Sequence, residues 1–428
     1  MKNFFSGDEW ISRLTKDSLT YFAGKIIPSL VGFLTVILLS RVFGASVYGR
    51  FSVAISIILT LETILSGWLS QGILRFYSEC GVEGRKGFYE NTWRIYLGIL
   101  PLGYVALCLI LSLVTRDTVQ TIIVSLFLFT LTTAFSLQTT FLQARLKARS
   151  YAAWESAKAL SIPLFAILIF WIFRAKNDLT ILLGYAVSNL LVVLLMLLWQ
   201  EKFKFSLGSS FDRDLFKVLL RFGAPLALWL GSSYLLNISD RYIIAGYCSY
   251  RDTGIYSAAY DIISKGLGIL FMPIVTAAHP LIMDRWNKKD YASALSVLKR
   301  GILYEVLGFI PIAIILFIFR HQFVLLALGP EFKGAERIIL PVAGGSFLWR
   351  LSMLLHKPLE LRKKTMLMAG LVSLALLVNV LSNLYFVPKY GYIAAAYSTI
   401  GSFFVYFAGI VGYVFWSRNS NDQPKIHS

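Results

Sequence analysis

Residues 179–199 read LTILLGYAVSNLLVVLLMLLW, a run without one charged side chain. A hydrocarbon core about 30 Å thick is crossed by roughly 20 apolar residues in a helix. A barrel strand would be about ten residues long and would alternate polar with apolar positions. This run does neither, so it predicts a membrane-spanning helix. Working outward, eleven further stretches fit the same template: 18–40, 51–73, 95–114, 120–142, 152–173, 223–244, 254–281, 301–319, 338–356, 366–387 and 392–415. The composition agrees. The 428 residues are 57% hydrophobic and only 15% charged, against about 25% charged in an average soluble domain. Too little polar material exists to coat two or three soluble domains. The reading is an all-α integral membrane protein of about twelve transmembrane helices.

The net charge of +18 would suit a nucleic-acid binder, but its distribution excludes that. With the N-terminus placed inside, 26 of the 41 Lys and Arg fall on inside segments, ten on outside loops and five within spans. Lys and Arg favour the cytoplasmic side, so both termini are expected in the cytoplasm. Some of the basic excess can also meet anionic lipid heads. The first 17 residues are polar and mixed in charge, without the apolar core of a cleavable signal. The first span is therefore expected to act as an uncleaved insertion signal. Cys80, Cys108 and Cys248 have neither CxxC nor metal-ligand spacing and read as packing residues.

The loops are short. The longest covers 200–222, carries Lys202, Lys204, Arg213, Lys217 and Arg221, and falls at the midpoint. It divides the chain into an N-terminal six-helix bundle (1–200), a cytoplasmic linker (201–222), a C-terminal six-helix bundle (223–415) and a cytoplasmic tail (416–428). A short signature recurs in both halves. Residues 49–54 read GRFSVA and residues 254–259 read GIYSAA, both G-x-aromatic-S-x-A and 205 positions apart. Each opens the second helix of its half. An even helix count gives both halves the same orientation, the pattern of a parallel six-plus-six repeat. No nucleotide-binding GxxxxGK[ST], no HExxH and no Ser-His-Asp set is present, and His279 and His356 read as hydrogen-bonded helix residues.

Ionisable groups at mid-bilayer cost at least about 2.5–3.5 kcal/mol each and face a partner or a wet cavity. The spans hold five bases (Lys25, Lys158, Arg241, Lys265, Arg350) and five acids (Glu62, Glu155, Asp240, Asp261, Glu305). Glu155 and Lys158, three apart, can pair or snorkel. Asp240 and Arg241 are adjacent and so point in different directions, which requires separate partners or interface water. Asp261 and Lys265 are spaced i, i+4 and can neutralise each other. Glu62, Lys265 and Arg350 lie nearest mid-span, and Lys25 lies one turn before Pro28; these four are expected to face a cavity. Cations in a low-dielectric cleft attract phosphate, and an Arg fork can hold it bidentately. Buried acids can take up H⁺ or Na⁺. The span charges sum to zero, so a basic cavity requires that the signs be segregated in space.

Residues 40–51 (SRVFGASVYGRF) resemble the "R-x-LG…YG-x-(F/Y)" loop of Wzx-type polysaccharide flippases. Residues 239–244 (SDRYII) with 253–260 (TGIYSAAY) are similar to that family's "DRY-ii…G-x-YS-x-A-Y" segment. Residues 379–396 (NVLSNLYFVPKYGYIAAA) resemble its closing motif, with Ala394 for the usual Gly, and His279 stands where Tyr or Phe is more usual. The resemblance covers essentially the whole chain. It implies the multidrug/oligosaccharidyl-lipid/polysaccharide exporter superfamily, with two pseudo-symmetric six-helix bundles around a central cavity in a bacterial inner membrane. It also implies a function: flipping an undecaprenyl-pyrophosphate-linked oligosaccharide to the outer leaflet for O-antigen or other surface polysaccharide. Lys25, Arg75, Arg241, Lys265 and Arg350 are then expected at the pyrophosphate. Lipid II flippases of the superfamily use basic residues on helices 1, 2 and 8, which Lys25, Arg75 and Lys265 share by helix only. Glu62, Asp240, Asp261 and Glu305 are expected as ion-coupling or charge-partner groups. No cofactor beyond a coupling H⁺ or Na⁺ is expected. Expected partners are the lipid-linked oligosaccharide, membrane lipids, and a polysaccharide polymerase and chain-length regulator, with no nucleic acid. A drug or organic-cation antiporter of the same fold is the alternative, and it would need acidic sites. A membrane-bound glycan polymerase would need a large outside loop, whereas 320–337 offers only Glu331 and Glu336 as acids.

Overall fold

The computed structural model describes residues 7–81, 84–115, 118–199, 211–362 and 364–419, apart from the side chains of 7–23, Lys25, 114–115 and 415–419. It is all-helical among those residues. In order come α1 (Gly7–Phe43), α2 (Ala45–Phe76) and α3 (Gly84–Ile110), the last continued by a π-helical turn over Leu111–Thr115. Then follow α4 (Val119–Ala144), α5 (Ala148–Phe173), α6 (Asp178–Trp199), α7 (Arg213–Tyr247), α8 (Tyr250–Asn287) and α9 (Tyr291–Ala327). A 3₁₀ segment, Pro330–Arg337, leads to α10 (Ile339–Leu355), the short α11 (Lys357–Leu361), α12 (Thr365–Tyr390) and α13 (Tyr392–Asn419). Among the described residues twelve spans are long and apolar enough to cross a membrane, α10 and α11 together forming one, as the apolar stretches predict.

Several helices run well past the hydrocarbon. The 38 residues of α8 make roughly 57 Å at 1.5 Å per residue, nearly twice the core thickness. Hydropathy registers only the apolar middle of such a helix. Residues 213–222, inside the expected linker, are accordingly the first turns of α7; residues 201–210 lie outside the described residues. Polar caps set the helix starts. Ser249 forms a capping box with Asp252 at the head of α8, and the Asp290 side chain accepts the Ser293 N–H at the head of α9. Each satisfies backbone donors that have no partner within the helix.

The helices group into two units. The first comprises residues 1–35 and 54–227, the second residues 36–53 and 228–428. In the first, Phe135 and Leu142 on α4, Tyr151 on α5 and Val192, Val193 and Met196 on α6 form one buried cluster. Beside it the Arg145 guanidinium donates from Nε to Tyr77 Oη at 3.0 Å and lies 5.6–5.7 Å from the ring centres of Tyr77, Tyr89 and Phe141. In the second, Leu236, Val372, Phe403, Tyr406 and Ile410 join α7, α12 and α13.

Residues 36–53 belong to the second unit although they close the first helix and open the second. Three sets of contacts hold them there. Arg41 donates from Nε to Ala327 O and from Nη2 to Leu325 O and Leu326 O, capping the carbonyls at the end of α9, where a cation also meets the negative end of the helix dipole. Glu331 accepts the Ala45 N–H at 3.1 Å, capping the start of α2. Finally the two copies of the G-x-aromatic-S-x-A signature pack on each other. Ser52 Oγ donates to Ser257 Oγ at 2.9 Å. A Cβ on Gly49 would lie 1.9 Å from Tyr250 O, and a Cβ on Gly254 would lie 1.8 Å from Ala45 O. Positions 45 and 250, 49 and 254, and 52 and 257 are thus related by a local two-fold. Small residues at such a crossing let two backbones approach where no larger side chain fits.

Gly49→Ala or Gly254→Ala is therefore expected to lower stability by about 1–3 kcal/mol through overpacking against a backbone carbonyl that cannot rotate away. Gly370→Ala, whose added Cβ meets nothing within 4 Å, is the control. Thermal unfolding in detergent micelles checks this, and equal melting points for Gly49→Ala and Gly370→Ala would contradict the close crossing.

Candidate functional site

The expected site residues fall into three clusters. The first is in unit 1. Glu62 on α2 and Glu155 and Lys158 on α5 are all half-buried. Ser136 on α4 hydrogen-bonds Glu62 and Thr139 hydrogen-bonds Glu155. Lys158 lies in the field of both carboxylates, with its Nζ 4.1 Å above the Phe135 ring centre. Spacing alone couples Lys158 to Glu155; the fold adds Glu62 from a different helix. This cluster has two acids to one base.

The second cluster surrounds Asp240, which is 1% exposed. Its carboxylate accepts from Asn383 Nδ2 at 2.6 Å, Thr399 Oγ1 at 2.5 Å and Tyr256 Oη. Asn379 joins through Asn383, whose Nδ2 is 3.1 Å from Asn379 Oδ1, and Asn379 Oδ1 also accepts from Ser239 Oγ at 2.9 Å. Asn383 Oδ1 is buried without a hydrogen-bond partner. α7, α8, α12 and α13 therefore converge on one carboxylate through neutral donors.

The third cluster belongs to the adjacent Arg241. As adjacency on one helix requires, it takes a separate partner: its Nη2 is 2.5 Å from Asp261 Oδ1 on α8. Asp261 also accepts Tyr48 Oη at 3.0 Å, so the segment around Tyr48 is tied to this pair. The i, i+4 spacing offers Asp261 to Lys265, but its direct ion pair is made across helices to Arg241. Lys265 lies within the field of both and is half-buried. One turn further along α8, Arg350 of α10 donates from Nη2 to Ser264 O at 3.3 Å and lies 2.8 Å from where a Cβ of Gly268 would stand. Glycine at 268 thus makes room for the guanidinium. Glu305 on α9 is within electrostatic reach of Arg350, but it is 0% exposed and neither carboxylate oxygen has a hydrogen-bond partner.

The signs are therefore segregated. In unit 2 Lys265, Arg350 and Asp261 are partly accessible, Asp261 being paired with Arg241 and within the field of Lys265, while Asp240 and Glu305 are buried. In unit 1 the half-accessible set is acid-rich. Arg75, expected at the pyrophosphate, sits in an exposed i, i+4 pair with Glu79 at the end of α2, 2.5 Å apart. Lys25 falls on α1, with its side chain outside the described residues. Sequence reasoning passed over Asn379, Asn383, Thr399 and Tyr256 as site residues. Their signal was two Asn four apart within an apolar span, which places both amides on one helix face.

Among the described residues the chain has twelve candidate membrane spans, and acidic and basic side chains lie within them. The chain matches the polysaccharide biosynthesis protein family over residues 14–286, and it belongs to that family. An Lsg locus protein of Haemophilus influenzae is 24% identical over 409 residues, 94% of this chain and 95% of that protein. A Haloferax volcanii protein named as a low-salt glycan biosynthesis flippase is 22% identical over 173 residues, 40% of this chain and 36% of that protein. Among solved structures, the lipid II flippase MurJ in an inward closed conformation superposes with a TM-score of 0.76 at 15% identity, over 93% of this chain and 87% of that one. An inward-facing multidrug resistance MATE transporter of the MOP superfamily gives 0.68 at 13% identity, over 94% of this chain and 99% of that one. The fold is that of MOP superfamily transporters.

Asp261→Leu alone leaves Arg241 buried and unpaired, and it is expected to cost about 3–5 kcal/mol. Adding Arg241→Met should recover most of that loss, because an apolar pair of similar volume can replace a buried ion pair. Thermal unfolding of the two single variants and the double variant checks this. Additive losses would mean that the two residues do not act as a pair.

Proposed function

We propose that the protein flips an undecaprenyl-pyrophosphate-linked oligosaccharide from the cytoplasmic to the outer leaflet of a bacterial inner membrane, by alternating access. The observation that carries this reading is the pair of partly accessible cations, Lys265 and Arg350, in the spans of unit 2, with Asp261 paired to Arg241 and Asp240 and Glu305 buried. Cations in low dielectric hold a pyrophosphate strongly, and the guanidinium of Arg350 offers a planar fork to it. Membership of the polysaccharide biosynthesis family supports a glycan as the cargo. Membrane lipids, a polysaccharide polymerase and a chain-length regulator are the partners this role requires. The coupling ion, H⁺ or Na⁺, is assigned in this reading to Asp240, the buried carboxylate on which Asn383, Thr399 and Tyr256 converge from three other helices. The protein itself makes and breaks no covalent bond in this scheme.

A second reading has its own support. The acid-rich cluster of Glu62 and Glu155 is the kind of site that an organic-cation antiporter needs, and the MATE transporter shares the fold. The two readings separate on the cations. Lys265→Glu is expected to abolish surface glycan and to accumulate undecaprenyl-linked glycan on the cytoplasmic face, measured by lipid extraction and mass spectrometry. Intact surface glycan in that variant, with drug efflux lost in Glu62→Gln, would favour the antiporter.

The proposed topology has a direct chemical test. Cys248 lies between α7 and α8 and Cys80 after α2, both outside the spans. Burial raises both thiols above the ordinary cysteine value. The thiolate is the reactive form, so labelling is slow at neutral pH and quickens as pH rises. A membrane-impermeant maleimide applied to whole spheroplasts at mildly alkaline pH is expected to label Cys248 and to spare Cys80 until the membrane is opened. The reverse order would invert the topology.

A further inference from the structure

Glu305 lies within the span of α9, and the transport scheme gives it no part. Its side chain is 0% exposed, and neither carboxylate oxygen has a hydrogen-bond partner. The face of α9 that carries it is otherwise apolar. A Cβ on Gly301, one turn before, would meet Ile274 and Ala278 of α8 and Leu354 of α10 at 3.8–3.9 Å. A Cβ on Gly308, one turn after, would meet Phe271 of α8 at 3.0 Å. Positions 301, 305 and 308 share one side of the helix, so Glu305 points into the packing of α9 on α8 and α10.

Arg350 stands at the same level on α10. Leu354 is near Gly301, and Phe347 stacks on Phe309 with ring centres 4.0 Å apart. Arg350 falls between those two contacts on α10, as Glu305 does on α9. Glu305 accordingly lies in the field of Arg350, and Arg350 in that of Glu305 and of Tyr260 on α8. The other charged groups around α9 are placed elsewhere. Lys299, Arg300 and Tyr304, on α9 itself, are exposed. On α8, Lys265 lies in the field of Asp261 and Arg241. The 3₁₀ segment packs near the far end of α9, where its Glu336 pairs with His321, roughly 24 Å along the helix from Glu305.

A buried carboxylate without donors does not persist as an isolated charge. Two states satisfy it. In the first it holds a proton and is neutral, and partly accessible Arg350 keeps its contact to Ser264 O at 3.3 Å. In the second it is ionised and draws the guanidinium onto itself as a buried pair. An anion at Arg350 competes with the second state and is compatible with the first.

We propose that Glu305 is a proton-binding site whose occupancy decides whether Arg350 is free to hold the phosphate of the cargo. The proposal rests on the reading that Arg350 binds an anionic cargo. The proton comes from water as the anion arrives and returns to it as the anion leaves. Proton and anion then favour each other's binding by the same factor.

The test titrates the full chain in nanodiscs with inorganic pyrophosphate in a calorimeter, using two buffers of different ionisation heat to count protons. The titration of pyrophosphate itself is common to all variants, so the difference between chains isolates Glu305. The unaltered chain is expected to take up about one proton more per pyrophosphate than Glu305→Gln. Its affinity should fall more steeply as pH rises, by up to about tenfold per pH unit, because the required proton is lost. Glu305→Gln, fixed in the neutral form, should bind more tightly than the unaltered chain at alkaline pH. Equal proton uptake, or no tighter alkaline binding, would overturn the proposal. If Glu305→Gln does not fold, infrared difference spectra of the unaltered chain decide. Pyrophosphate must raise a protonated-carboxyl band, and its absence overturns the proposal. Equal affinity in Arg350→Gln and the unaltered chain sinks the anion site and this proposal with it. Binding that depends on Arg350 without the extra proton sinks only the role of Glu305. The glycan cargo is judged separately, by accumulation of carrier-linked glycan on depletion.

Discussion

Hydrocarbon offers no hydrogen bonds, and every polar group placed in it must find a partner within the protein. That constraint explains the all-helical architecture, in which each backbone bond is made within its own segment. It also explains the polar interior. Asp240 is surrounded by three donors from three other helices. Arg241, one residue on, turns to Asp261, and Asp261 also accepts Tyr48. Two ionisable groups that sequence places side by side are each partnered separately, Asp240 by neutral donors and Arg241 by a carboxylate.

The same economy governs the segment 36–53. Its capping by Arg41 and Glu331 satisfies carbonyls at the end of α9 and an amide at the start of α2. Its glycine contact removes the side chains that would keep two helices apart. The recurring G-x-aromatic-S-x-A signature is a trace of this contact. The glycines let the backbones approach, and the serines close the crossing with a hydrogen bond between equivalent positions.

Charge placement carries the functional argument. Equal numbers of acids and bases in the spans leave the net charge of any cavity undetermined. Burial breaks the tie. Glu305 and Asp240 are buried, Asp261 pairs with Arg241 within the field of Lys265, and Lys265 and Arg350 stay partly accessible. Glu62, Glu155 and Lys158 form a counterpart of opposite bias in the other unit.

The amino-acid sequence alone determined the twelve spans, because a run of twenty apolar residues has one stable solution in a bilayer. It determined the charge asymmetry of the loops, because insertion reads Lys and Arg locally. It located the Asp240–Arg241 step and the repeated signature, because both are local patterns. The helix lengths escaped it, since hydropathy is blind to the polar turns that extend α7 and α8 beyond the membrane. Only tertiary structure decided which charges pair. The spacing of Asp261 and Lys265 offered a neighbour one turn away, yet Arg241 on a different helix made the direct contact. Lys158 likewise lies in the field of Glu62 on a different helix as well as in that of Glu155. A helical period fixes which side chains share a face; which face meets which depends on packing between helices far apart in the chain.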